Sequence, residues 1–147
     1  MYSRAHAAIS LVVAAGVILV ETLVVGEPTI DPVLAIAYGV ALGVLIDLDH
    51  FALAWIFSDS LDPFVRVLRA PWIVVTAPAT IFETDDLGPH QRLISHVVIA
   101  GLLVPATWLV VDPLVGVLSA AVLYAHVLAD LIADLRNFET IARENQP

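Results

Sequence analysis

The chain has 147 residues, 60% of them hydrophobic and only 14% charged, with a mean hydropathy of +0.93, where a soluble domain normally carries about 25% charged residues. That composition excludes an ordinary soluble globular protein and places the chain in the membrane class as a single domain, with the lipid bilayer as its first partner. Six Arg and no Lys stand against fifteen acidic residues, for a net charge of −9, and cysteine is absent; nucleic acid is thereby disfavoured as a partner, and disulfides, thiolate metal sites and Cys nucleophiles are excluded.

A spanning helix needs about 20 mostly apolar residues, and four stretches meet that length or approach it: 7–25, 33–57, 93–111 and 113–132. The first is broken only by Ser10, Glu21 and Thr22; it is too long for a signal peptide and lacks a small-x-small cleavage site, so a retained helix is expected. Gly26-Glu27-Pro28 ends it, and Asp31-Pro32 supplies an N-cap followed by Pro at the first helical position of the second. The second stretch is apolar up to Ile46, reads Asp47-Leu48-Asp49-His50, then turns apolar again. Residues 61–82 form a mixed segment in which 64–69 and 72–75 read as interfacial rather than spanning, and Glu83, Asp85 and Asp86 beyond it read as a solvated acidic run. The third stretch carries His96 near its start and Pro105 inside; Asp112-Pro113 repeats the cap-and-proline start for the fourth, which carries His126 and Asp130 in its last turns. The expected fold is an all-α membrane protein, a four-helix transmembrane bundle with an interfacial segment between helices two and three.

With four spans, Arg4, Arg66, Arg69, Arg92, Arg136 and Arg143 all fall on one side, which the positive-inside rule assigns to the cytoplasm together with both termini. The expected location is the cytoplasmic membrane. The loss of Lys alongside many acids fits a halophile, and high genomic G+C explains it equally well. Aligning Asp31-Pro32 on Asp112-Pro113 places Asp49 on Asp130, a faint internal repeat that chance similarity between apolar helices also explains.

Ionisable groups inside spans are costly and mark function. Because alternate helices run in opposite directions, His6, Asp47, Asp49, His50, His96, His126 and Asp130 all come to the Arg-bearing side, with His90 just ahead of helix three. His126 and Asp130 are i, i+4 neighbours able to touch one ion, and Asp134 continues their face; Asp47 and His50 are i, i+3 neighbours. Asp49 points away from Asp47 on a regular helix, so either the helix unwinds there or Asp49 orients a histidine ring from behind. Imidazole and carboxylate donors without thiolate suit a divalent ion, Zn foremost, with Mn and Fe as alternatives.

These residues fall in four ordered motifs: Ala5-His6, Ile46-Asp47-Leu48-Asp49-His50, Arg92-Leu93-Ile94-Ser95-His96 and Ala125-His126-Val127-Leu128-Ala129-Asp130. In that order, and over most of its length, the chain resembles the YdjM family of membrane-bound, metal-dependent hydrolases. It departs from that pattern at Gln91, which stands where the family's first His of the third motif belongs with His90 one residue away, and at Leu93 and Val97. The resemblance implies a metal-dependent hydrolase. In that reading His6, Asp47, His50, His96, His126 and Asp130 are metal ligands, Asp47 and Asp49 are catalytic carboxylates, and His90 is a doubtful further ligand. Arg92 either steadies an oxyanion or phosphate or serves only as a topology anchor. An interfacial site favours an amphiphilic ester or phosphoester as substrate. A non-catalytic metal-binding or transport protein is the alternative; the nearly apolar remainder of helices one and three disfavours a through-pathway, and the clustered Asp disfavours a haem pocket.

Overall fold

The structure, a computed structural model, describes residues 3–58, 61–77, 80–81 and 89–144, whose regular elements are all helices, with no strand among them. Helix α1 covers Ser3–Val25 and α2 Pro32–Leu45; a single 3-10 turn, Ile46–Leu48, leads without a break into α3, Asp49–Ser58. Two short helices follow, α4 at Asp62–Arg69 and α5 at Ile73–Thr76, then α6 at Pro89–Val110 and α7 at Pro113–Glu144. Among the described residues four helical runs are long and apolar enough to cross a membrane: Arg4–Val25, Pro32–Phe57, His90–Val110 and Pro113–Phe138. The acidic run at Glu83, Asp85 and Asp86 lies outside the described residues.

Their outward faces are what a membrane protein requires. Leu109 and Val110 are 80% and 83% exposed, and Val12, Leu23, Val24 and Leu102 are similarly bare; in water such a surface would drive aggregation, and in hydrocarbon it costs nothing. The interior is small and tightly filled by Ala14 and Ile18 of α1, Ala35 of α2, and Leu118 and Val122 of α7. Close approach is set by Gly39 and Gly43, one turn apart on α2. A Cβ at Gly39 would lie 2.8 Å from the Ala14 Cβ, and one at Gly43 would lie 1.8 Å from the Ser10 Oγ. Small residues four apart let membrane helices approach at backbone distance. Hydroxyls join the helices on the same principle: the Tyr38 and Ser119 oxygens are 2.7 Å apart, and Thr107 lies 3.5 Å from Ser119.

The turns at the opposite end behave as their sequences predict. Asp31 Oδ1 accepts from the backbone N–H of Val33 and Leu34 at 2.9 and 3.0 Å, and Asp112 Oδ1 from that of Leu114 at 2.7 Å. Gly26 takes φ +99, the left-handed value that ends α1. Glu21 Oε1 accepts from the Thr29 backbone N–H at 3.0 Å and from the Thr29 hydroxyl, closing the α1–α2 turn. Pro105 sits inside α6 without ending it, as neighbouring helices permit in membranes. Helix α7 runs past the expected boundary at residue 132 as far as Glu144.

Candidate metal centre

The site is assembled at the other end of the bundle, near the starts of α1 and α6, at the 3-10 turn after α2 and midway along α7. His6, His96 and His126 are each only 1% exposed, and His50 and Asp130 8%. The rings lie against one another: His6 and His126 stack with centroids 3.8 Å apart, His50 and His96 with centroids 5.2 Å apart, and His96 meets His126 edge-on at 4.9 Å.

The 3-10 turn resolves the alternative left open by the sequence at Asp49. In an α-helix, residues i and i+2 project roughly 160° apart; three residues per turn narrows this to about 120°. Both carboxylates then reach the same rings: Asp47 Oδ1 lies 3.8 Å and Asp49 Oδ1 3.4 Å from His96 Nε2, and the same two oxygens lie 3.9 and 3.6 Å from His50 Nε2. Asp49 is also held from behind, because the Ser95 hydroxyl donates to its Oδ2 at 2.5 Å.

On the other flank, His6 Nε2 is 3.1 Å from Asp130 Oδ1, and His126 Nε2 is 3.2 Å from Asp47 Oδ1 and 3.5 Å from Asp130 Oδ2. The orientation of His126 is fixed from behind: its Nδ1–H donates to the Gly43 carbonyl at 2.9 Å. With the proton on Nδ1, the neutral ring turns the Nε2 lone pair toward two carboxylate oxygens, a contact that is repulsive unless a proton or cation lies between them. Nε2 of His6, His96 and His126 and Oδ1 of Asp49 are buried and make no hydrogen bond of acceptable geometry among the described residues. Such atoms are costly to leave uncompensated. Buried, converging nitrogen and oxygen donors, with the His126 ring anchored to the backbone from behind, form an arrangement able to hold a metal ion. Among the described residues they fall into two groups of potential ligands, His6, Asp47, His126 and Asp130 in one, and Asp47, His50 and His96 in the other.

The remaining candidates lie beside this cluster. Arg92 Nη2 donates to both Asp134 carboxylate oxygens, at 3.0 and 3.3 Å. His90 is exposed and belongs to neither donor group. All three line a cavity of about 350 Å³ between α6 and α7 that shares His96 and Asp130 with the cluster, its apolar lining coming from Leu93, Val127, Leu131, Leu135 and Phe138. Sequence reasoning assigned no role to Ser95, Gly43 or Gly39. The Gly39-x-x-x-Gly43 spacing was the signal available for the two glycines, and the Ser beside His96 in the third motif that for Ser95.

No family model, no curated protein and no solved structure matches the chain. Fold and side-chain geometry define it as an all-α membrane protein with a buried His/Asp cluster able to hold a metal ion.

Proposed function

We propose that this protein is a membrane-embedded, metal-dependent hydrolase whose centre lies at the cytoplasmic face and acts on an amphiphilic ester or phosphoester. The carrying observation is that one cavity shares His96 and Asp130 with the donor cluster and is otherwise lined mostly by apolar side chains. A buried metal store has no need of such an opening, whereas an amphiphile fits it with its polar end at the cluster and its apolar part along Val127, Leu131 and Phe138. The motif resemblance to YdjM-like hydrolases points the same way.

His6, His50, His96, His126, Asp47 and Asp130 are the residues that would hold the metal. A divalent cation there supplies Lewis acidity and lowers the pKa of a water toward about 7. Asp49, positioned by Ser95, is placed to take up a proton or to hold a ring in its orientation. Arg92 lines the cavity with its Nη2 on Asp134, and its guanidinium charge beside the cluster favours an anionic oxygen of the substrate.

The test is turnover of purified protein in lipid nanodiscs against a panel of acyl esters and phosphoesters of amphiphilic alcohols. The expected result is hydrolysis that a chelator abolishes, that Zn²⁺ or Mn²⁺ restores, and that Asp49→Asn lowers by about 10²-fold or more. Bound metal without metal-dependent turnover across the panel would instead establish a non-catalytic metal-binding protein.

A further inference from the structure

The geometry points to a centre for two divalent cations rather than one, with Asp47 as the carboxylate shared between them and a phosphoester as the substrate class; this rests on the metal-binding reading above. A single ion with ligand bonds of about 2.0–2.2 Å draws all its donor atoms to within roughly 4.4 Å of one another. The donors here do not meet that condition together. They separate into two groups, each with its ligand atoms within 4.8 Å of one another and so needing only a few tenths of an ångström of closure, and Asp47 alone belongs to both.

Each group brings two imidazoles. One has the His6 and His126 rings with Asp130 as its own carboxylate. The other has the His50 and His96 rings, with Asp49 Oδ1 at 3.6 and 3.4 Å from their Nε2 atoms. Between them stands Asp47, whose Oδ1 is 3.2 Å from His126, 3.8 Å from His96 and 3.9 Å from His50. The first ion would thus have two imidazoles, Asp130 and a share of Asp47, and the second two imidazoles and a share of Asp47, with Asp49 beside its rings to hold them or to take up a proton.

Charge separates one ion from two. Asp47, Asp49 and Asp130 carry three negative charges into a poorly solvated interior, and Arg92 is engaged with Asp134. One divalent cation leaves a net negative centre that repels an anionic ester. Two leave a net positive one that attracts it. Paired cations are the arrangement that steadies both the entering and the departing oxygen of an in-line displacement at phosphorus. This is what favours a phosphoester over a carboxylic ester.

The experiment is titration of metal-free protein in nanodiscs with Mn²⁺, with bound metal measured after desalting and electron paramagnetic resonance recorded on the loaded sample. Expected are two ions per chain with a spin-coupled spectrum, about one ion with an uncoupled spectrum in His6→Ala and in His50→Ala, and loss of coupling in Asp47→Asn. Retained helicity by circular dichroism identifies the variants that have folded, and Asp130→Asn stands in for His6→Ala if the latter has not. Saturation of the wild type at one ion overturns the two-ion centre and leaves the metal-binding reading intact; so does complete metal loss in folded variants of both groups. Absence of bound metal in the wild type overturns both readings. With two ions bound, failure of inorganic phosphate to perturb the coupled spectrum overturns the phosphoester assignment.

Discussion

Replacement of Gly43 by Ala tests whether helix packing and ligand geometry form a single unit. The new methyl carbon would lie 1.8 Å from Ser10 Oγ, 2.8 Å from Ser10 Cβ and 3.3 Å from Val122 Cγ1. Turning the Ser10 hydroxyl away relieves only the first of these, because the Cβ contact remains below any normal separation, so α1 and α2 must part. Overpacking of this kind costs about 1–3 kcal/mol. Parting the helices also draws the Gly43 carbonyl away from the His126 ring, sacrificing a bond of about 1 kcal/mol and the anchor that aims Nε2. The expected loss is therefore about 2–4 kcal/mol in stability, with a fall of about 10–100-fold in metal affinity, the usual consequence of losing a ligand's outer partner. Chelator-competition titration in nanodiscs reads the affinity, and thermal unfolding in detergent reads the stability. The compensating double variant, Gly43→Ala with Ser10→Gly, removes both close contacts and should recover most of each. Wild-type affinity and stability in Gly43→Ala alone would refute the reasoning, and failure of the double variant to recover would show that the separation is not set by Ser10.

Ser95→Ala removes the 2.5 Å bond that holds Asp49 and should lower metal affinity about tenfold with little change in helicity, measured by the same competition titration. Asp134→Asn weakens the clasp on Arg92; with both side chains about a quarter to a third exposed, stability should fall by less than about 1 kcal/mol in thermal unfolding, while affinity for an anionic amphiphile, followed by fluorescence of a labelled analogue, changes measurably. Removing metal with a chelator should lower the unfolding temperature, and Zn²⁺ or Mn²⁺ should restore it, since an ion bound only by the folded state stabilises it by mass action. Reporter fusions at each end should both report the cytoplasm; opposite readings would remove the four-span topology.

Much of this molecule is legible from hydropathy and residue spacing alone. The four spans, the caps at Asp31 and Asp112, and the gathering of His6, Asp47, His50, His96, His126 and Asp130 at one end all follow from periodicity along single helices and from the alternation of helix direction. Asp134 likewise continues the face of His126 and Asp130, as i, i+4 spacing requires. What was not legible depends on relations between helices or on a small departure from regular winding. The sequence around Asp49 allowed either an unwound helix or a supporting carboxylate, and the structure combines a tightened turn with a Ser95 support. The pairing of Arg92 with Asp134 joins residues 42 positions apart, and the bond from His126 to the Gly43 carbonyl involves a backbone atom that no residue type announces. Glu21 bonds Thr29 because the chain reverses between them, which composition alone does not reveal.

Helix α7 concentrates the site's dependence on the rest of the bundle. His126 and Asp130 among the ligands, and Val127, Asp134 and Phe138 of the cavity, ride on one rigid cylinder, so none can be misplaced independently of the others. Turning that cylinder by a single residue's step, about 100°, would withdraw every one of them together. The contacts that prevent this rotation are remote: Leu118 and Val122 are buried against α1 and α2, with Leu118 about 18 Å along the axis from Asp130. A lesion at Leu118, near the opposite membrane surface, would therefore be expressed as a loss of metal, and an inherited or engineered defect mapping there would mimic damage to the ligands themselves.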